Sequence, residues 1–169
     1  MKIFKRSAFI AVALIMSMAL LSACSEKPKK ENQATNATTA AKSASSTDLN
    51  KAKVFTDISI TPKSFKLKQD DTFKEKGKTL TVVAMHIENK TKDDFGIGAG
   101  DFYLLLGKEK ITTHGYYDSF GDVIKPNKAL DGNAYFAIPD VKGEYTLVYH
   151  PVNGPKTPKL EWSIGAPTK

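Results

Sequence analysis

The sequence TLTVVAMHIE, residues 79–88, is the most informative stretch for the architecture of this chain. Its middle is apolar at both alternating sets of positions, which is typical of a strand covered on both faces. The stretch ends at NKTKDD, residues 89–94, a polar cluster whose composition indicates a turn. These features predict a central β-strand, which requires further strands on either side of it.

Shorter segments around this strand also have the patterns of β-structure. Residues 64–68 and 160–164 alternate apolar and polar side chains, as half-buried strands do. Segments rich in Val, Ile, Tyr and Phe, separated by Gly, Pro, Asn and Asp, predict further strands at residues 54–60, 101–106, 110–114, 133–138 and 144–150. No long segment has helical periodicity. Residues 53–169 are therefore predicted to form an all-β domain, an antiparallel sandwich of seven or eight strands.

Part of this region resembles a bacterial telokin-like domain family. The resemblance lies in MHIENKT and GDFYLL, residues 85–91 and 100–105, and in IKPN, YFAIP and YTLVY between residues 124 and 149. That family is an immunoglobulin-like sandwich of unknown function, common in surface lipoproteins of Gram-positive bacteria, and no catalytic residues are known for it. The resemblance implies an immunoglobulin-like fold at the cell surface. Asn127 stands where the family usually has Gly, and Asn also tolerates a left-handed turn.

The N-terminus has the three parts of a secretory signal. Lys2, Lys5 and Arg6 are basic, residues 8–20 carry no charge, and small residues precede Cys24. LSAC at positions 21–24 resembles the lipobox of bacterial lipoprotein precursors, whose cysteine thiol forms a thioether with a diacylglyceryl group. We predict a lipoprotein signal peptide at residues 1–23. Cys24 is the predicted lipidation site, which carries acyl chains such as palmitate and anchors the protein to the outer face of the cell membrane.

Two other interpretations of this segment remain open. The apolar run could be an uncleaved membrane helix, although it is short for a span of about 20 residues. It could also be an ordinary secretory signal in which Cys24 is an incidental thiol. Cys24 is the only cysteine in the chain, so an internal disulfide is excluded and no CxxC site is present. Beyond the covalent lipid, no cofactor is expected.

The segment after the lipobox differs in composition from the rest of the chain. Residues 25–51 contain no aromatic side chain and almost no large apolar one, so we predict a lipidated N-terminus and disordered linker at residues 24–52. The formal net charge of +7 owes much to basic residues of the leader and linker. In the domain both signs are interspersed, and we therefore expect no nucleic-acid partner.

A search for catalytic or metal-binding patterns finds none with the necessary spacing. The three histidines, His86, His114 and His150, belong to different segments, so no metal site is predicted. Acidic pairs at positions 70/71, 93/94 and 118/122 lack the spacing of a calcium loop and are interpreted as turn formers. GIGAG, residues 96–100, is followed by no helix and is interpreted as a flexible crossing between strands. No enzyme activity is predicted.

The loop HGYYDSFG, residues 114–121, is the candidate binding site. Tyr116, Tyr117 and Phe120 lie in a polar, glycine-bounded loop, where tyrosine offers a large contact area at low entropic cost. Alternatively, one or two of these rings fold back onto the core, and Phe120 is the first that we expect to be buried.

Location and loop together lead to a functional hypothesis. We expect a membrane-anchored extracytoplasmic lipoprotein whose domain is a protein-interaction module at the cell envelope, with an envelope protein as its partner. The alternative is a small-ligand or metal-binding lipoprotein that serves uptake or sensing. A flat exposed aromatic patch would favour the first, and a pocket with converging polar groups the second.

Overall fold

The computed structural model describes residues 47–151 and 159–169, so Cys24, the signal peptide and most of the predicted linker lie outside the described residues. The described part contains no helix long and apolar enough to cross a membrane. It forms ten strands and one 3-10 turn: β1 (Lys53–Phe55), β2 (Ile58–Leu67), β3 (Lys78–Asn89), β4 (Phe95–Gly98), the turn Ala99–Asp101, β5 (Phe102–Leu106), β6 (Glu109–Thr112), β7 (Gly121–Ile124), β8 (Lys128–Pro139), β9 (Tyr145–Tyr149) and β10 (Leu160–Gly165).

The strands form two four-stranded sheets and one smaller pair. The first sheet has the order β1-β2-β3-β8, the second has the order β10-β9-β5-β6, and β4 pairs with β7. The pairings between these strands are all antiparallel. The predicted all-β, antiparallel β-sandwich is therefore confirmed. The predicted central strand is β3, which pairs with β2 on one side and β8 on the other.

Side chains of both sheets meet in one hydrophobic core. Val83, Met85 and Ile87 of β3 are buried there together with Leu104 of β5 and Trp162 of β10. The intervening side chains of β3 are only half-buried, so one face of this strand is covered completely and the other in part. Removing such apolar surface from water is the main force that holds the two sheets together.

The GIGAG segment is not a flexible crossing, and that prediction is wrong. Phe95–Gly98 forms β4 and pairs with β7, and Ile97 is buried in the core. Gly98 contacts β7, since an added Cβ would lie at the ordinary van der Waals distance of 3.6 Å from the Cα of Gly121. The glycines lower the intrinsic strand propensity, but packing of the apolar side chains on the core overrides this preference.

The strand predicted at residues 54–60 is interrupted by a turn. Thr56 and Asp57 have φ values of 44° and 63°, and the chain reverses there to pair β1 with β2. Positive φ at both central residues is characteristic of a two-residue hairpin turn, for which Asp is a common choice and Thr is not. Asn127 has φ of 56°, which confirms that it adopts the left-handed turn expected at this position.

The folded part also begins before the predicted domain boundary at residue 53. The backbone N–H of Asp48 donates to the carbonyl of Ser163 at 2.6 Å, and that of Asn50 donates to the carbonyl of Pro62 at 2.7 Å. Residues 47–52 thus cover backbone groups at the edges of β10 and β2. Two side chains add to these main-chain bonds, since Leu49 packs against the core and the Asp48 carboxylate accepts from the backbone N–H of Ser163. One apolar side chain in a polar segment was too weak a signal for composition to indicate the attachment.

Candidate functional site

Three tyrosine rings lie one upon another on the outer face of the first sheet. Tyr135 of β8 is buried but lies outside the hydrophobic core, since its neighbours Ala134 and Phe136 point inward. The ring of Tyr116 covers it at a centroid distance of 4.2 Å, and Tyr117 lies 4.7 Å beyond Tyr116. We call these three residues the tyrosine stack. Its outermost member, Tyr117, is 89% exposed.

Each of the two inner tyrosines is fixed by a carboxylate. The hydroxyl of Tyr116 donates to Asp70, which lies in the loop between β2 and β3. The hydroxyl of Tyr135 donates to Asp118 at 2.5 Å, and the side-chain amide of Asn133 donates to the same oxygen at 3.2 Å. These bonds connect three separate parts of the chain, so the inner rings are held in one orientation.

The hydrogen bonds also lower the pKa values of both carboxyl groups, which favours their ionised form. Bonds from the side chain of Thr72, from Tyr116 and from the backbone of Thr72 lower the pKa of Asp70 to about 2. The pKa of Asp118 is lowered by the bonds from Tyr135 and Asn133. The pKa of Tyr116 is raised by its bond to Asp70, because ionising a phenol beside a carboxylate is unfavourable, and the pKa of Tyr135 is raised by burial first and by its bond to Asp118 second.

A shallow groove adjoins the stack. Its cavity of about 380 Å³ is bordered by Asp70, Phe73, Glu75, His114 and Tyr116 among others. The His114 ring contacts Phe73 edge-on at 5.4 Å, and its Nδ1 lies 3.3 Å from the carboxylate of Glu75. The groove therefore presents both aromatic edges and charged groups beside the stack.

A lysine adds positive charge near the ring of Tyr116. The Nζ of Lys68 lies 5.8 Å from the centroid of Tyr116. At that distance an ammonium group is attracted to the face of an aromatic ring. A molecule that packs on Tyr117 would thus meet an ammonium group and carboxylates close to the apolar ring.

The structure separates the three predicted loop residues into two groups. Tyr116 and Tyr117 are neighbours in the stack, whereas Phe120 packs against Phe102 at a centroid distance of 6.0 Å. Phe120 also lies directly over Gly132, where an added Cβ would come within 2.5 Å of the phenylalanine Cβ. Phe120 therefore fixes the loop to the core, as the alternative interpretation of the loop expected.

The three histidines do not come together. His86 lies on the half-buried face of β3, and its Nδ1 is 2.7 Å from the carboxylate of Asp131. His114 borders the groove, and the backbone N–H of His150 donates to the carbonyl of Asp101. Within residues 47–151 and 159–169, no three His, Cys, Asp or Glu side chains are grouped so that they could hold a metal ion.

These features define a small antiparallel β-sandwich domain with an exposed tyrosine stack on one face. Residues 47–158 match the family model described as a domain of unknown function, DUF4352. The chain belongs to this family. A comparison with curated proteins finds no match.

Two solved structures have a similar fold. One is the candidate lipoprotein ycdA of Bacillus subtilis, with 24% identity and a TM-score of 0.55 over 68% of this chain. The match covers 38% of ycdA, so this chain spans well under half of that protein. The other is a functionally unknown protein of Listeria monocytogenes EGD-e, with 11% identity and a TM-score of 0.50 over 70% of this chain and 82% of its own. Both likenesses support the β-sandwich fold.

The bond between Tyr116 and Asp70 makes a titration predictable. Because the folded-state pKa of Asp70, about 2, lies below its ordinary value of 3.8, the ionised group stabilises the fold at neutral pH. That stabilisation is lost as the pH falls from about 4 towards 2. Tyr116→Phe removes one of the donors and should raise the pKa of Asp70, although the Thr72 bonds keep it below the ordinary value.

Carboxyl chemical shifts followed by NMR across this pH range would measure the change. Tyr103→Phe is the control, because Tyr103 lies on β5 in the other sheet and should leave the Asp70 midpoint where it is. An Asp70 midpoint that does not move in Tyr116→Phe would show that the hydroxyl bond does not hold this carboxylate.

Proposed function

We propose that this protein is a lipoprotein anchored through acylated Cys24 to the outer face of the cell membrane, and that its sandwich binds an envelope protein through the tyrosine stack. The observation that carries the binding proposal is the 89% exposure of Tyr117 on top of two rings fixed by carboxylates. An apolar ring held in water in this way offers contact area that the domain itself does not use.

The stack is suited to binding because the ring beneath its exposed member is already ordered. Tyr116 is held by its bond to Asp70 and packs against Tyr117, so Tyr117 has a fixed support. The protein therefore loses little conformational entropy at the stack when a partner packs on the ring. Tyrosine is also enriched among the residues that dominate the binding energy of protein interfaces.

The surroundings of the stack favour a partner with mixed polarity. A partner group that covers Tyr117 would come close to the ammonium of Lys68 and the carboxylate of Asp118. Charges at the rim of an interface mainly set orientation and association rate, whereas the central aromatic ring supplies affinity. We therefore expect Tyr117 to matter more for affinity than either charged neighbour.

Tyr117→Ala should weaken capture of the partner at least about tenfold, as loss of a hot-spot ring does. Tyr117→Phe keeps the ring and should retain most of the binding. The measurement is affinity capture from envelope extract, in which bound proteins are compared between the variants. Val123→Ala, a half-exposed apolar residue on β7, is the control for a general surface change. Equal capture by the wild type and Tyr117→Ala would contradict the binding proposal.

The anchor has a separate test. Cys24→Ser removes the thiol that forms the thioether, so we expect unacylated protein to be released from cells instead of being recovered with membranes. Fractionation followed by detection of the domain measures this distribution. Membrane recovery of Cys24→Ser equal to that of the wild type would favour an uncleaved N-terminal helix and contradict the lipid anchor.

A further inference from the structure

An apolar groove occupies the end of the sandwich at which β2 and β8 finish. Its volume is about 760 Å³, and its apolar lining comes from Leu67, Ile138, Pro139, Val141, Ala166 and Pro167. Val141 is 56% exposed and Leu67 is 37% exposed. These two aliphatic side chains beside an open groove offer apolar surface that the described part of the chain leaves in water.

The N-terminal segment enters the domain at the same end. The methyl group of Thr47 lies 3.0 Å from the position of an added Cβ on Gly165, and the Glu144 carboxylate lies 3.3 Å from that position. Gly165 directly precedes Ala166 in the groove lining, and Glu144 is itself part of that lining. The chain that leads back to Cys24 thus leaves the domain beside the groove. We call this part of the molecule the groove end.

The length of chain between Cys24 and the domain limits how far the groove end can be from the anchor. Fully extended, the residues from Cys24 to Thr47 span at most about 80 Å, and any less extended conformation brings the two closer. A lipid on Cys24 would therefore keep the groove end, where the tether joins the domain, within about 80 Å of the bilayer. Tethering of this kind raises the effective concentration of a weak contact to about the millimolar range.

The residues beside the exposed aliphatic side chains are suited to a lipid headgroup region. Lys142 follows Val141, and Lys66 precedes Leu67. A lysine can place its ammonium group at the phosphates while its neighbour contacts the acyl chains. The groove lining also holds two acidic residues, Glu144 and Asp140, of which Asp140 accepts a hydrogen bond from the hydroxyl of Thr79. Basic residues beside aliphatic ones are common where proteins meet a membrane surface.

We propose that the groove end docks on the surface of the lipid bilayer, with Val141 and Leu67 inserted at the boundary between headgroups and acyl chains. This inference rests on the proposed anchorage through Cys24 and adds to it the orientation of the domain. Tyr135 lies about 13 Å along β8 from Pro139, which borders the groove. The tyrosine stack therefore faces a partner that is itself close to the membrane.

The test uses the full acylated chain with a fluorophore on a cysteine introduced by Val141→Cys. The thioether blocks the sulfur of Cys24, so the new thiol is the only one available for labelling. The matched control is Val123→Cys, because Val123 is 50% exposed and lies away from the groove end. Val123 pairs with Gly96, and the ring of the neighbouring Phe95 contacts Phe55. Phe55 pairs with Ile58 at the start of β2, and Ile58 lies about 30 Å along that strand from Leu67 at its end. Val123 is therefore close to the end of the sandwich opposite the groove end.

Both labelled proteins are reconstituted in vesicles of equal parts phosphatidylglycerol and phosphatidylcholine that contain a lipid with a quencher on its acyl chain. We expect the probe at position 141 to lose at least about half of its emission and the probe at position 123 to keep nearly all of it, because only the former lies at membrane depth. An aqueous quencher should give the reverse order.

Three outcomes would overturn the inference, and they are distinguishable. Vesicle-bound protein whose two probes are quenched equally by the lipid shows that the anchor exists but the groove end does not dock. Vesicle-bound protein whose probe at position 141 is protected from both quenchers shows that the groove holds a protein segment instead. Protein that does not float with the vesicles contradicts the lipid anchor, and the docking inference fails with it.

Discussion

Replacing Trp162 with alanine should lower the free energy of unfolding by about 3–5 kcal/mol, the usual cost of removing a fully buried aromatic side chain. Trp162 is 0% exposed and belongs to the hydrophobic core shared by the two sheets. Its Nε1–H also donates to the carbonyl of Lys51 at 3.0 Å, which ties the segment before β1 to β10. The substitution therefore removes core packing and leaves a backbone carbonyl without its donor.

A second substitution separates these two contributions. Trp162→Phe keeps an aromatic ring in the core but removes the N–H donor, so its effect should be smaller than that of alanine. Urea unfolding followed by far-ultraviolet circular dichroism is the suitable measurement, because Trp162 is the only tryptophan and fluorescence would be lost with it. Val54→Ala, at a position 62% exposed, should change stability by less than about 0.5 kcal/mol. A Trp162→Ala effect as small as that of Val54→Ala would contradict this account of the core.

The sequence predicted the strands best where hydrophobic pattern and burial agree. In β3 and β10 the apolar side chains that suggested a strand are the ones that form the core. The pattern failed at β4, where glycines suggested flexibility, and at Thr56 and Asp57, which form an unusual hairpin turn. In both places the structure depends on packing or pairing with another segment, which a local window does not contain.

The candidate site was predicted only in part for a related reason. The loop composition indicated Tyr116 and Tyr117, but nothing near them in the sequence indicates Tyr135 as the ring beneath them. Asp70, which fixes Tyr116, is 46 positions away in the chain. These partners meet because the loop before β3 and the loop before β7 both lie over the outer face of the first sheet. Such contacts follow from topology, which residue patterns specify weakly.

Asn89→Ala should cost about 3 kcal/mol, since a buried side chain with a complete set of hydrogen bonds leaves several groups unsatisfied when it is removed. Asn89 is 0% exposed at the end of β3, although its sequence position had suggested the start of a polar turn. Its amide donates to the carbonyls of Asp93 and Ile124, each at 2.8 Å. Its oxygen accepts from the backbone and the hydroxyl of Thr91, at 2.9 Å and 2.7 Å.

The control for this substitution is Thr91→Val, which removes one of the four bonds of Asn89 together with the contacts of the Thr91 hydroxyl with the backbone of Asp93, and should cost about 1–2 kcal/mol. Because Ile124 belongs to β7, losing Asn89 should also loosen the small β4–β7 sheet. Hydrogen exchange of the amides in Phe95–Gly98 and Gly121–Ile124 should become faster in Asn89→Ala than in Thr91→Val. If exchange there is unchanged while global stability falls, Asn89 stabilises its own turn and not the connection between the sheets. If the free energy of unfolding is also unchanged, the prediction is contradicted, because water then replaces the buried bonds of Asn89 without cost.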